Sequence, residues 1–148
     1  MIRVCLVDDQ TLVRQGIRSL LALDGGIEVV GEASDGKQAI ELIPQLKPDV
    51  VLMDMRMPAM SGLEALQALS RINALPPTII LTTFDDDQLV LAGLKAGAKG
   101  YLLKDVSLDQ LVGAIRAAAG GSLVQPAVAQ RLLSRPGHMR NDVVSLGR

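Results

Sequence analysis

Five polar side chains stand directly after short apolar runs of the sequence: Asp8, Asp9, Asp54, Thr82 and Lys104. If those runs are parallel strands, their carboxyl ends meet in one crevice, where open α/β sheets bind ligands. Three neighbouring carboxylates repel one another strongly unless a cation lies between them. A set of oxygen ligands without His or Cys favours a hard cation, and Mg²⁺ is the natural candidate.

This group of side chains suits the transfer of a phosphoryl group to a carboxylate. Lys104 would supply a mobile positive charge and Thr82 a hydroxyl donor, and both can neutralise the oxygens of a phosphoryl group. The nucleophile would be a carboxylate, because aspartyl phosphate is a known covalent product of such chemistry. The alternative is that Asp54 only ends a strand and begins a turn towards Pro58. That alternative requires the matching polar groups at the other strand ends to be coincidental.

Apolar runs alternate with segments of helical periodicity five times along the chain. The predicted strands cover residues 2–7, 27–33, 50–53, 78–83 and 100–103, and a helix follows each. The second run alternates and is less apolar than the others, as expected for an edge strand. Strict alternation favours parallel strands joined by right-handed crossovers. We therefore predict an α/β fold, a doubly wound five-stranded parallel sheet between two layers of helices (three-layer αβα).

The sequence also predicts local features of the helices. Asp35 and Ser107 begin patterns typical of capping boxes, and Pro44 fits poorly inside the second helix. Gly93, inside a fourth helix predicted from Asp86 to about residue 96, costs on the order of 1 kcal/mol relative to Ala, which predicts a less rigid segment. The apolar stripes comprise Leu12, Ile17, Leu20, Leu21 and Leu23 in the first helix, and Leu63, Leu66, Leu69 and Ile72 in the third.

Composition limits the classes of function that fit. The chain has 148 residues, 49% hydrophobic but only 1% aromatic, which fits one domain with an aliphatic core and a short extension. A net charge of −1 without a basic block gives no electrostatic footprint for nucleic acid or for an anionic membrane. Cys5 is the only cysteine, and we interpret it as a small core residue in a reducing compartment. We recognise no signal peptide or membrane-spanning run, and expect a cytoplasmic location.

Four motifs give the chain a family resemblance: Asp8-Asp9, residues 54–58 with Gly62, Thr82-Thr83, and residues 101–104. Across residues 1–121 the chain resembles the response-regulator receiver domain, the phosphoacceptor half of bacterial two-component signalling. The sequence around the motifs is most similar to the NarL/FixJ (LuxR-type) subfamily, which carries a C-terminal helix-turn-helix. The resemblance implies a flavodoxin-like sheet with the strand order 2-1-3-4-5.

The resemblance implies a role for each matching side chain. Asp54 would accept a phosphoryl group from the phosphohistidine of a sensor histidine kinase, and Lys104 would pair with the phosphoryl oxygens. Thr82 would move to bond one of these oxygens, and Tyr101 would turn inward as Thr82 moves. The surface formed by the fourth helix, fifth strand and fifth helix would then change, and we expect phosphorylation to produce a homodimer.

The resemblance also implies a Mg²⁺ site at the phosphoacceptor. Asp9, Asp54 and the backbone carbonyl of Arg56 would bind the ion directly, and Asp8 would bind it through water. The resemblance further implies that the protein is a signalling domain and not an enzyme with external substrates. It would catalyse only its own phosphorylation and dephosphorylation.

Three residues are expected at the rim of this site: Thr83, Phe84 and Arg56. We hypothesise that Phe84 and Arg56 tune the access of water to the phosphoryl group. A lone His138 far along the chain is interpreted as solvated and not as a phosphoryl carrier.

The residues after 121 have a different character. The apolar residues of 122–135 fall at helical spacing, which predicts a linker helix, and residues 136–148 are expected to be a flexible tail or a cloning remnant. We recognise no helix-turn-helix after Leu133. We therefore expect a receiver domain at 1–121 whose contact with DNA depends on a C-terminal domain missing from this sequence.

Two other classes of protein are considered. Mg²⁺-dependent phosphatases also use an aspartyl nucleophile, but they place a second acid two residues later, where this chain has Arg56. A receiver-like docking module that is never phosphorylated would not need the acid pair or the lysine that are present here.

Overall fold

Strands and helices alternate strictly in the structure, a computed structural model that describes residues 1–83 and 86–121. The ten elements are β1 (Ile2–Val7), α1 (Thr11–Leu21), β2 (Ile27–Ala33), α2 (Gly36–Leu46), β3 (Val50–Asp54), α3 (Gly62–Arg71), β4 (Thr78–Thr82), α4 (Asp87–Lys95), β5 (Gly100–Leu103) and α5 (Leu108–Ala119). Each predicted strand is present within one or two residues of its predicted bounds. The expectations for residues 84–85 and 122–148, which include Phe84, His138, the linker and the tail, lie outside the described residues.

The five strands form one parallel sheet in the order β2-β1-β3-β4-β5, which confirms the predicted α/β topology. All five residues of β3 are buried, as a central strand covered on both faces requires. β2 lies at the edge of the sheet, as its more polar sequence predicts.

Alternating side chains of the strands build two cores, one on each face of the sheet. Cys5, Val51 and Ile80 face a core that α2, α3 and α4 cover. Leu6, Leu52 and other alternate residues face a second core, which α1 and α5 cover. The arrangement is therefore the predicted three-layer αβα sandwich.

Some apolar residues of the predicted helical stripes are exposed. Leu23 is 75% and Ile72 63% exposed, because α1 ends at Leu21 and α3 at Arg71, so the helical periodicity does not extend to either residue. Leu12 lies in the first turn of α1 and is 82% exposed. The apolar stripes predicted for the first and third helices are therefore only partly buried.

Helix α2 continues through Pro44 and ends two residues later. Pro44 has no N–H for the carbonyl of residue 40, so one hydrogen bond of the helix is lost in its last turn. Lys47 then adopts a left-handed conformation (φ 49°) and donates its N–H to the Ile43 carbonyl at 2.9 Å. The helix thus tolerates Pro44 because it ends there.

Gly93 has a packing role that its helical position alone did not indicate. A Cβ at Gly93 would overlap the Cδ1 atom of Ile80 and lie 3.0 Å from the Cε atom of Met55. The missing side chain therefore allows α4 to approach β4 closely.

Cys5 is fully buried, as predicted, and burial raises the pKa of its thiol to about 12. At pH 8 only about one thiol in ten thousand would be ionised, so we expect no reaction with a disulfide reagent in the folded protein. Labelling should proceed only in denaturant, as followed by absorbance. Fast stoichiometric labelling without denaturant would contradict the burial of Cys5.

Across the described ranges, no helix combines the length and the apolar character that crossing a membrane requires.

Candidate functional site

Four neighbouring strands bring the predicted side chains to one edge of the sheet. Asp8 and Asp9 follow β1, Asp54 ends β3, Thr82 ends β4, and Lys104 follows β5. These strands are adjacent in the order β1-β3-β4-β5, so all five side chains extend from the same edge. The convergence predicted from the sequence is present.

The three carboxylates lie close together. Asp8, Asp9 and Asp54 each offer an oxygen within 4.8 Å of the others. Asp8 and Asp54 are buried, whereas Asp9 is exposed. Nζ of Lys104 lies 3.1 Å from Oδ2 of Asp8 and 3.3 Å from Oδ2 of Asp54. The lysine therefore holds the two buried carboxylates as a shared counter-ion.

Backbone hydrogen bonds fix the loops that carry these groups. The Asp8 carboxylate accepts a hydrogen bond from the N–H of Gln10 at 2.8 Å, and the guanidinium of Arg14 donates to the Asp8 carbonyl. The N–H of Arg56 donates to Oδ1 of Asp54 at 3.3 Å. The N–H of Lys104 donates to the Thr82 carbonyl at 2.9 Å. The site is thus positioned by main chain as well as by side chains.

The N-terminus of α3 lies in close contact with the end of β3, and this contact shapes the loop between them. Ser61 caps α3 in a full capping box with Glu64, and the N–H of Gly62 donates to the Met55 carbonyl at 3.2 Å. A Cβ on Gly62 would overlap the carbonyl oxygen of Asp54. This capping box was not among those predicted from the sequence, although the Ser-x-x-Glu pattern of residues 61–64 indicates it.

The electrostatics of the site reflect its crowding. Burial raises the pKa of Asp54, and the nearby Asp8 charge raises it further, against the opposing effects of Lys104 and the Arg56 N–H. Burial lowers the pKa of Lys104, but hydrogen bonds and charge from Asp8 and Asp54 outweigh it, so the net shift is upward. Lys104 and the Arg56 N–H therefore do not fully offset the effects of burial and of Asp8 on ionised Asp54.

The donor set fits a hard divalent cation. It consists of carboxylate oxygens from Asp8, Asp9 and Asp54, two of them buried, at mutual distances that one ion can span. The backbone carbonyl of Arg56, the direct binding by Asp9 and the water-mediated binding by Asp8 stay predictions.

Thr82 and Tyr101 are both buried. The hydroxyl of Thr82 donates to the Thr83 carbonyl at 3.1 Å, and its oxygen lies 3.5 Å from Oδ2 of Asp86. Tyr101 lies in the core on the α2–α4 face of the sheet. The predicted inward movement of Tyr101 with Thr82 stays a prediction.

Asp86 was not among the site residues predicted from the sequence, but its carboxylate contacts three residues beside the site. Arg56 donates to its carboxylate through Nε at 3.0 Å and 3.1 Å and through Nη2 at 2.5 Å. The hydroxyl of Thr83, an expected rim residue, lies 3.4 Å from the same carboxylate, and Thr83 is exposed. The partners are 30 residues apart, so only the fold reveals the contact.

Comparisons with known proteins give a consistent result. The family model of the response regulator receiver domain matches residues 4–116. The chain is 51% identical over 122 residues to the nitrate/nitrite response regulator protein NarP of Escherichia coli (strain K12), covering 82% of this chain and 57% of NarP. It is 44% identical over 139 residues to the transcriptional regulatory protein LiaR of Bacillus subtilis (strain 168), covering 93% of this chain and 66% of LiaR.

Solved structures of response regulators are similar to this chain in fold. The signal receiver domain of the response regulator NarL from Mycobacterium tuberculosis superposes with a TM-score of 0.76 at 38% identity, covering 81% of this chain and 97% of that domain. A LuxR-family two-component response regulator from Aurantimonas sp. SI85-9A1 gives a TM-score of 0.82 at 34% identity, covering 90% of this chain and 96% of that one. The chain spans about three fifths of the length of the curated relatives it matches.

Proposed function

The chain belongs to the response regulator receiver domain family of two-component systems, on its NarL/LuxR branch, and from this we propose that Asp54 is its phosphoacceptor. The donor would be the phosphohistidine of a sensor histidine kinase. The observation that supports this most is the position of Asp54, which is buried at the end of β3 with Nζ of Lys104 3.3 Å away.

The transfer would be a displacement at phosphorus. A carboxylate oxygen of Asp54 attacks, the P–N bond to the donor imidazole breaks, and its electron pair returns to the imidazole nitrogen. Lys104, whose Nζ lies 3.3 Å from Oδ2 of Asp54, would neutralise a phosphoryl oxygen, and Thr82 would donate a hydrogen bond to another once its hydroxyl leaves the Thr83 carbonyl. Mg²⁺ bound by Asp9, Asp54 and the Arg56 carbonyl, with Asp8 through water, would supply further positive charge to the phosphoryl oxygens.

The response would be a change of surface and of assembly. Movement of Thr82 and Tyr101 would alter the α4–β5–α5 surface, and a homodimer would form. Light scattering before and after phosphorylation measures this directly, and an unchanged mass would count against dimerisation of this chain.

The output of the whole protein is proposed to be control of transcription in the cytoplasm. Two relatives from Bacillus subtilis (strain 168), LiaR and YdfI, are named as transcriptional regulatory proteins. The receiver, at residues 1–121, would act on DNA through a C-terminal DNA-binding domain of the whole protein. The rim positions of Thr83 and Phe84, and a role of Phe84 and Arg56 in water access, are part of the same proposal.

The test is intact-protein mass after incubation with Mg²⁺ and acetyl phosphate. We expect the parent protein to gain one phosphoryl group, which EDTA prevents and Asp54→Ala abolishes. Asp105→Ala removes an exposed carboxylate one residue after Lys104 and should leave the gain unchanged. A protein that gains no phosphoryl group from acetyl phosphate or from a phosphorylated kinase would be a docking module. Steady turnover of a generic phosphate ester would instead indicate a phosphatase.

A further inference from the structure

The carboxylate of Asp86 connects two loops beside the phosphoacceptor. It is buried, and it accepts hydrogen bonds from the Arg56 guanidinium of the β3–α3 loop. The same carboxylate lies 3.5 Å from the Thr82 hydroxyl and 3.4 Å from the Thr83 hydroxyl at the end of β4. One side chain thus contacts residues that follow both β3 and β4.

Asp86 makes these contacts instead of capping its own helix. It is the N-cap residue of α4, with φ −106° and ψ 38°, and its side chain makes no capping hydrogen bond. The N-cap residues of α2, α3 and α5 do cap, through Asp35, Ser61 and Ser107. Because Asp is among the best N-cap residues, the carboxylate of Asp86 has two competing uses, as a cap for α4 and as a partner for Arg56.

The hydroxyl of Thr82 is committed to the same loop. It lies 3.1 Å from the Thr83 carbonyl oxygen and 3.5 Å from Oδ2 of Asp86, and both can accept its single proton. A phosphoryl oxygen on Asp54 can receive this proton only after the hydroxyl turns away from both.

We infer that Asp86 is a positioning residue, a latch that holds Arg56 and Thr82 in the unphosphorylated arrangement and is released when Asp54 is phosphorylated. The inference rests on the proposed function of Asp54. A phosphoryl group adds negative charge beside Asp54, which attracts the Arg56 guanidinium and the Thr82 hydroxyl and repels the Asp86 carboxylate. The Asp86 carboxylate is the main cause of the raised pKa of Arg56, and the charge of Asp54 adds to it, so the guanidinium lies within electrostatic reach of Asp54.

Release of the latch would have a defined consequence for α4. The freed Asp86 carboxylate can turn to the N-terminal N–H groups of α4 and cap the helix. Phosphorylation at β3 would thereby be transmitted to the helix that borders the proposed output surface.

The experiment compares Asp86→Asn and Arg56→Gln with the parent protein by NMR, with Mg²⁺ and beryllofluoride as a phosphoryl mimic. Without the mimic, the amide resonances of the first turn of α4 in both variants should move towards their positions in the saturated parent. The half-saturating concentration of beryllofluoride should fall about fivefold. The double variant should show no larger change than the stronger single variant, because either substitution opens the same latch.

The matched control is Asp109→Asn, which removes an exposed first-turn carboxylate from α5 and should change neither readout. If the variants keep the parent's resonances and half-saturating concentration, the latch is overturned but the proposed function of Asp54 is not. Additive effects in the double variant would have the same meaning. A parent protein that does not respond to beryllofluoride would overturn the proposed function and the latch together. A purely structural role of Asp86 would weaken binding of the mimic, which is the opposite of the expected change.

Discussion

Gly62→Ala is expected to destabilise the protein by about 3 kcal/mol or more, since it forces a side chain against main-chain atoms. The new Cβ would overlap the carbonyl oxygen of Asp54 and lie 2.9 Å from Cα of Met55. Neither atom belongs to a flexible side chain that could turn away. The N-terminus of α3 must therefore shift from the end of β3, and Asp54 must shift with it.

Urea unfolding of Gly62→Ala measures the loss, and the matched control is Gly113→Ala in α5. A Cβ at Gly113 meets nothing within 4 Å, so the same substitution should stabilise the protein there by about 1 kcal/mol. Equal stability of Gly62→Ala and Gly113→Ala would show that α3 does not pack against the end of β3 as closely as the structure indicates. Any folded fraction of Gly62→Ala should also bind Mg²⁺ more weakly, which a calorimetric titration can measure.

The sequence predicts the convergence of the site because the rule that creates it is local. Each strand shows itself by a short apolar run, and each polar group follows its run directly, so parallel pairing alone brings Asp8, Asp54 and Lys104 together. The roles of these residues came from the resemblance, and their geometry agrees with those roles without testing them.

Other features depend on contacts that no local pattern records. The Arg56–Asp86 pair joins two loops 30 residues apart. Arg56 was predicted at the rim of the site, but nothing in the sequence indicates that Asp86 is its partner. Gly93 was interpreted from its helical propensity. Its lack of a side chain is explained instead by the close packing of α4 against Ile80 and Met55, which lie outside that helix. The exposure of Leu12 was missed because periodicity shows which residues share a helical face but not how much of that face the sheet covers.

Lys104→Met is expected to lower the free energy of unfolding by about 2 kcal/mol in EDTA at neutral pH. The substitution leaves the buried carboxylates of Asp8 and Asp54 facing each other without their shared ammonium. The expected loss is smaller than for a fully buried pair, because the Lys104 side chain is 21% exposed and water screens part of the interaction. Urea unfolding measures it, and Lys37→Met on the exposed face of α2 should stay within about 0.5 kcal/mol of the parent.

The electrostatic origin of this loss can be separated from lost packing. Adding Asp54→Asn to Lys104→Met should restore most of the stability, because only one buried carboxylate then remains. Millimolar Mg²⁺ should also restore it, since a divalent cation can replace the ammonium between the carboxylates.

The pH dependence of Lys104→Met gives the decisive comparison, because burial and Asp8 already raise the pKa of Asp54 above its ordinary value in the parent. An acid whose pKa is higher in the folded than in the unfolded protein stabilises the fold at low pH, and this contribution is lost as pH rises through the unfolded and then the folded pKa. Without Lys104 the pKa of Asp54 must rise further, so the deficit of Lys104→Met should be small at about pH 4 and larger at about pH 7. A deficit of the same size at both pH values, or one that Asp54→Asn fails to reduce, would show that Lys104 stabilises the fold through its aliphatic stem and not through its charge.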